Sequence, residues 1–213
     1  MNEKLPVNWD GYFKNFVNKP LIESLRSRLV KGAYERLLRG ITFRKASHFC
    51  ELGAGTAVMS RFLGEKYDAQ IIIVDNNKTA LDLSKKSFKN FQKSFQILEN
   101  DVFELDSLNK KFDLVHSGGL IEHFIGSTRQ KIIDIHCNLV SDQGYLLILV
   151  PIRNAWYRIL NEGIFSYFHL LDEVPEVPWS LQELETVLNQ HNFQIIARTS
   201  VISELGVLAK RIS

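Results

Sequence analysis

From residue 46 onward, short apolar runs alternate with segments whose apolar residues recur every three to four positions. The runs at 47–51, 70–74, 94–98, 112–116 and 144–150 predict strands, and the amphipathic stretches near 57–66, 77–90 and 126–140 predict helices. Strands and helices in alternation build βαβ units, and therefore a parallel sheet covered on both faces. The end of the chain breaks this rhythm. A helix over about 180–190 leads into Phe193-Gln194-Ile195-Ile196-Ala197 and then Gly206-Val207-Leu208-Ala209-Lys210. The link between these two runs is too short for a parallel crossover, so the last pair of strands should be antiparallel.

Two stretches lie outside the alternation. Residues 1–45 carry Trp9, Tyr12, Phe13 and Phe16, followed by a helical recurrence through Leu21, Ile22, Leu25, Leu29, Tyr34, Leu37 and Leu38, which predicts one or two helices. These helices either form part of a lid or anchor the terminus to the core. Residues 151–179 insert Arg153, Trp156 and Tyr157, and then Phe165-Ser166-Tyr167-Phe168-His169, between the fifth strand and the next helix, punctuated by Pro151, Pro175 and Pro178. An insert at the carboxyl edge of a sheet usually builds substrate contacts, so Arg153, Tyr157, Tyr167 and His169 are candidates.

A chain of 213 residues suits one domain with a full core. Charge is nearly balanced, 26 basic against 24 acidic residues, without a basic cluster of nucleic-acid type, so nucleic acid is not the expected partner. Cys50 falls inside a predicted strand and Cys137 inside a helical pattern, which reads as two small buried hydrophobes in a reducing compartment. Met1 to Asp10 has no signal-peptide core, and no stretch has the length of a membrane span. A cytoplasmic location is expected; the oligomeric state stays open.

The most informative segment is His48-Phe49-Cys50-Glu51-Leu52-Gly53-Ala54-Gly55-Thr56-Ala57, with a second apolar strand ending in Asp75 twenty residues after Gly55. A strand that breaks into a glycine turn, followed by a strand ending in an acid, describes a nucleoside pocket at the edge of a parallel sheet. Gly53 and Gly55 let the backbone turn sharply and approach a ligand closely. Asp75 is placed to accept from a ribose diol, or alternatively to cap a helix. A dinucleotide fingerprint requires a third glycine where this chain has Val58, and Glu51 suits a cationic or zwitterionic ligand better than a pyrophosphate. Both features argue against NAD and against an NAD-dependent oxidoreductase.

Glu51-Leu52-Gly53-Ala54-Gly55-Thr56, then Asp75, Asn100-Asp101-Val102, and Phe112-Asp113-Leu114-Val115 leading into Gly119-Leu120-Ile121-Glu122-His123-Phe124, together resemble the class I S-adenosylmethionine-dependent methyltransferases. The likeness is greatest to their small-molecule, type 11-like branch and covers roughly residues 45–210. The chain departs from the pattern at Ala57, where the loop's third glycine would stand, and at His116, where a small or apolar residue is usual. The resemblance implies a Rossmann-like α/β fold: a seven-stranded, mostly parallel sheet with one antiparallel strand, helices on both faces and a helical N-terminal lid over the cofactor mouth. It further implies S-adenosyl-L-methionine as the cofactor. Glu51, Gly53, Ala54 and Gly55 would face the methionine portion, Asp75 and Asn76 the ribose, and Asp101 and Val102 the adenine, with Ser117 completing the contacts.

Methyl transfer from a sulfonium has a good leaving group, so alignment is the main requirement, with a general base only for a protonated acceptor. His116, Glu122 and His123, near the end of the fourth strand, are the catalytic candidates, and His116 is the preferred base. A Glu122–His123 pair alone supplies too few ligands for a metal. Ser117-Gly118-Gly119-Leu120 replaces the Asn/Asp-Pro-Pro-Tyr/Phe run of enzymes that methylate base amino groups, which argues against that substrate. The expected function is methyl transfer to oxygen or nitrogen of a small organic acceptor. A protein or lipid-like acceptor, and a cofactor-binding homologue without turnover, are the alternatives.

Overall fold

The computed structural model describes residues 4–16, 20–159 and 175–212. Strands form at the predicted apolar runs: β1 (His48–Leu52), β2 (Gln70–Asp75), β3 (Phe95–Glu99), β4 (Phe112–Gly118), β5 (Val140–Pro151), β6 (Phe193–Val201) and β7 (Glu204–Arg211). They make one seven-stranded sheet in the order β3-β2-β1-β4-β5-β7-β6. The first five strands pair in parallel, and β7 runs antiparallel to both β5 and β6. Crossovers leave β1 toward β2 on one side and return to β4 on the other, so a crevice opens above the carboxyl ends of β1 and β4.

The helices follow the amphipathic segments: α3 (Val58–Tyr67), α4 (Lys78–Ser87) and α5 (Ser127–Leu139), then the short α6 (Ala155–Ile159) and α7 (Leu181–Gln190). Caps fix the starts of two of them. Asn77 Oδ1 accepts from the Ala80 amide ahead of α4, and Ser180 with Glu183 makes a reciprocal capping box ahead of α7. Before the sheet come α1 (Trp9–Phe16) and α2 (Pro20–Leu37). One core cluster lies between the sheet and α5 and α7, including Ile132, Trp179 and Leu184. The other, with Tyr34, Phe49 and Leu63, lies under α2 and α3. Cys50 and Cys137 are buried and unpaired, one in a strand and one in a helix.

Two boundaries differ from the periodicity. The predicted 77–90 helix stops at Ser87, where Phe88 and Phe91 turn into the core and pack edge to face. β5 begins at Val140 rather than 144: Val140 pairs with Phe112 before a register shift, across a polar stretch that masks the strand. Gly144 is required at that irregularity, since a Cβ there would stand 2.8 Å from the Phe112 carbonyl oxygen. Residues 160–174, including Phe165 to His169 of the predicted insert, lie outside the described residues, as do 1–3 and 17–19.

Candidate active site

A cavity of about 240 Å³ opens at the carboxyl ends of β1, β2, β4 and β5. One side is the glycine loop. Gly53 has φ +63°, and a Cβ on it would fall 2.6 Å from Leu120 Cδ1. Ala57 has φ +51°, so it holds the left-handed conformation that a third glycine would supply, at a cost of about 1 kcal/mol. The loop is tied to β2. The Ala54 amide donates to the Val74 carbonyl at 3.1 Å and the Gly55 amide to Asp75 Oδ2 at 2.9 Å.

Asp75 therefore has two functions at once. Its Oδ1 accepts from the Asn77 amide, while Asn77, not Asp75, caps α4. Asp75 also lines the cavity beside Asn76. Burial raises its carboxyl above the usual range even against the amides of Asn77, Gly55 and Asn76. Each carboxylate oxygen has lone-pair capacity beyond one amide, so ribose hydroxyls can still be accepted. Asp75→Ala is expected to weaken S-adenosylhomocysteine binding by about 1–3 kcal/mol in a calorimetric titration; unchanged affinity would remove Asp75 from the ribose position.

Glu51 faces the same cavity and is buried, with Oε2 lacking any hydrogen-bond partner. Burial pushes its carboxyl up to about 8, against hydrogen bonds from Ser60 and helped by the nearby Asp75 charge. Asp101 and Val102 also line the cavity. Asp101 caps the 3-10 turn Val102–Leu108 through the Phe103 amide and accepts from Lys4 Nζ at 2.7 Å. Burial opposes ionisation of this carboxyl, but the bonds from Lys4 and Phe103 prevail and hold it below the usual range. Lys4 thus occupies part of the face expected for adenine. Its segment is fixed by the Leu5 amide, which donates to the His123 carbonyl at 2.9 Å. No sequence pattern marked Lys4.

Two expected contacts are not at the cavity. Strand β4 alternates its side chains between the two faces, so His116 turns toward α2 and α3 and Ser117 toward α5. His116 is fully buried, with Nδ1 3.2 Å from Tyr34 Oη and Nε2 3.2 Å from Ser60 Oγ. Its ring lies behind Glu51, with Nδ1 3.8 Å from Oε1, because the two residues are register partners on β1 and β4. Burial, with His136 nearby, lowers its pKa to about 3, so the ring is neutral. The expected base is therefore not among the residues that line the cavity. Ser117 Oγ is hydrogen-bonded to His136 Nε2 at 2.9 Å in the opposite core, and Gly118 and Gly119 line the cavity in its place.

His123 does reach the cavity. Its Nδ1 donates to the Pro175 carbonyl at 2.8 Å, Nε2 is 3.9 Å from Glu122 Oε1, and Trp9 packs edge-on at 4.9 Å. Burial lowers its pKa despite the Pro175 and Gly119 carbonyls, which favours the neutral ring. Glu122 is buried directly beneath, its carboxyl pushed up to about 8 by burial. Of the insert, Val177 and Trp179 are stapled to this turn: the Val177 amide donates to Glu122 O and Trp179 Nε1 to Ile121 O. Tyr157 and Arg153 lie away from the lining residues, and Tyr167 and His169 are outside the described residues. Residues that sequence reasoning missed are Lys4, Arg26 and Glu204.

The buried groups predict how stability varies with pH. His116 and His136 are held near 3 and 4, below their ordinary 6.5, so the unfolded chain gains protons first and stability falls as pH drops below 6.5. Glu51 and Glu122 are raised from 4.5 to about 8, so the folded chain holds extra protons and loses stability as pH rises from 4.5 through 8. The two trends oppose each other between 4.5 and 6.5. Thermal melting of the unliganded chain should therefore show a plateau in that window and fall on both sides; a melting temperature still rising at pH 8 would contradict it.

The sheet order, the glycine loop and the acid ending β2 define a Rossmann-like methyltransferase architecture. Residues 49–144 match a family model described as a methyltransferase domain. No curated protein matches the sequence. Similar solved structures include an O-methyltransferase family protein from Burkholderia thailandensis, 15% identical over 79% of this chain and 52% of that one, TM-score 0.66. Magnesium protoporphyrin IX methyltransferase (ChlM) from Synechocystis PCC 6803, with bound SAH, is 14% identical over 97% and 89%, TM-score 0.64. The N-methyltransferase NodS from Bradyrhizobium japonicum WM9, in complex with S-adenosyl-L-homocysteine, is 13% identical over 90% and 87%, TM-score 0.64. At these identities the likeness is one of fold, and the chain spans about half the length of the first. Among the described residues, no helix is long and apolar enough to cross a membrane.

Proposed function

We propose that this chain transfers a methyl group from S-adenosyl-L-methionine to a small organic acceptor, through an oxygen or nitrogen nucleophile. The observation that carries the reading is Glu51. A buried carboxylate oxygen without a partner, aimed into a cavity beside two left-handed glycines, lacks a cationic ligand. The α-ammonium of the cofactor's methionine portion supplies that charge. Asp75, twenty residues beyond Gly55 and already fixing the loop, accepts the ribose hydroxyls, while Asn76, Asp101 and Val102 border the adenine. Similar folds crystallised with S-adenosylhomocysteine, the product of this cofactor, support the assignment.

When bound, the cofactor supplies an electrophilic methyl on a sulfonium with a good leaving group. The chain's own contribution is alignment and exclusion of water. Gly118 and Gly119 leave space for an acceptor above the end of β4, with Trp9, Tyr12 and Phe13 of α1 closing the other side. These helices act as the lid, and Lys4 fastens the segment ahead of them to Asp101. His123 is the lining group able to take a proton near neutral pH, replacing His116 in that role. Related folds are named for O- and for N-methylation, so fold alone does not choose the acceptor.

Incubating the chain with methyl-labelled S-adenosylmethionine and a panel of alcohols, phenols, amines and carboxylates tests the reading. Label should appear in at least one acceptor class. Cofactor binding with no transfer to any class would favour a non-catalytic homologue.

A further inference from the structure

Through its two ring nitrogens, His116 joins Tyr34 to Ser60, and Ser60 in turn reaches Glu51. Nδ1 lies 3.2 Å from Tyr34 Oη and Nε2 3.2 Å from Ser60 Oγ. Ser60, in the first turn of α3, gives Glu51 one hydrogen bond from its hydroxyl and another from its amide. That amide belongs to the helix end whose N–H groups lack intrahelical partners, and Ala57 ahead of the helix has no side chain to cap it. Glu51 on β1 therefore caps α3, while its Oε2 stays without a partner at the cavity wall. Tyr34, which also lines the cavity, Ser60 and His116 are each at most 1% exposed, so these bonds are made away from bulk water.

The supply of protons fixes the direction of this chain of bonds. The ring is neutral, because burial and the nearby His136 lower its pKa to about 3, so it carries one N–H and one lone pair. Ser60 has a single hydroxyl proton, and an ionised Glu51 takes it. Ser60 Oγ must then accept from the ring, which places the ring proton on Nε2. Nδ1 is left as an acceptor and Tyr34 Oη–H donates to it; burial and the charges of Glu51 and Glu204 hold that phenol protonated. The opposite order, with the proton on Nδ1, would take the Ser60 hydroxyl away from Glu51. Nδ1, at 3.8 Å from Glu51 Oε1, is too far to replace that bond.

We propose that Tyr34, His116 and Ser60 form a one-way hydrogen-bond relay, with the ring held as its Nε2–H tautomer, that orients Glu51 and keeps it ionised for the ammonium of the cofactor. This rests on the cofactor reading above. All three are positioning residues and act through Glu51. Asp75, the other carboxylate whose charge Glu51 feels, opposes ionisation, and the relay offsets it. Successive hydrogen bonds polarise one another, so the loss of Tyr34 at the far end reaches Glu51 more weakly than the loss of Ser60.

The test reads the tautomer and the ligand response separately. In the full chain carrying nitrogen-15-labelled histidine, above the Glu51 value of about 8, NMR should show His116 protonated on Nε2 and bare on Nδ1. Affinity is then measured for S-adenosylhomocysteine and for 5′-methylthioadenosine, which keeps the nucleoside but lacks the ammonium. Ser60→Ala should weaken the first about tenfold and Tyr34→Phe about threefold, with the second changed less than about twofold in either variant. A ring protonated on Nδ1 would overturn the proposal. So would equal losses for both ligands, the mark of a packing defect, or an unchanged S-adenosylhomocysteine affinity in either variant. If S-adenosylhomocysteine fails to bind the parent chain, the cofactor reading falls, and the tautomer of the unliganded chain still decides the direction of the relay.

Discussion

Glu51→Ala is expected to weaken S-adenosylhomocysteine binding by about 2–5 kcal/mol, roughly thirtyfold to several thousandfold, the range for truncating one partner of a buried charge pair. The size follows from burial. Glu51 is held in a dry position behind the glycine loop, where a ligand ammonium meets it without competing water. The same substitution should leave the unliganded chain as stable as before, or more so, because it removes a carboxylate whose Oε2 is buried and unpaired. Calorimetry together with thermal melting separates the two effects. A variant that loses affinity only because it is partly unfolded would also lose melting temperature.

His116→Ala should destabilise the chain by about 2–4 kcal/mol in urea unfolding, since it opens a cavity in a fully buried site and strips a partner from both Tyr34 and Ser60. Its kinetic signature distinguishes a positioning role from a base. As the wall behind Glu51, His116 should act on cofactor affinity, raising the KM for S-adenosylmethionine with a smaller change in kcat. A fall in kcat with the KM unchanged would restore it as the general base. His123→Ala should show the opposite pattern, lowering kcat, because His123 lines the cavity and Trp9 and Pro175 hold its ring.

Most of the scaffold was legible because its signals are local. Each strand from β1 to β4 is a run of apolar residues bounded by polar ones, and the Ile202–Ser203 link between β6 and β7 is too short for anything but an antiparallel return. Gly53, Gly55 and Asp75 were legible for a similar reason: the loop, the strand and the acid are spaced by the βαβ unit itself. His116 and Ser117 were not. Both sit at the right end of the right strand, but alternation sends them to opposite cores, and only the positions of Tyr34, Ser60 and His136 show that these cores are closed.

Lys4 and Arg26 reach the cavity through tertiary contacts that no period encodes. Glu204 had a signal, since an antiparallel last strand must begin at the edge where the parallel strands end. Ala57 shows a different limit. Its left-handed backbone is imposed by the loop, so the residue type gave no indication of the conformation.

Calorimetric titration of the purified chain with S-adenosylhomocysteine, alongside NADH, addresses the cofactor site most directly. Micromolar binding of S-adenosylhomocysteine with no heat from NADH is the expected result, and the affinity should fall in Glu51→Ala and in Asp75→Ala. Binding of NADH, or of neither ligand, would contradict a cavity in which Glu51 and Asp75 hold the two ends of a methionine-bearing nucleoside.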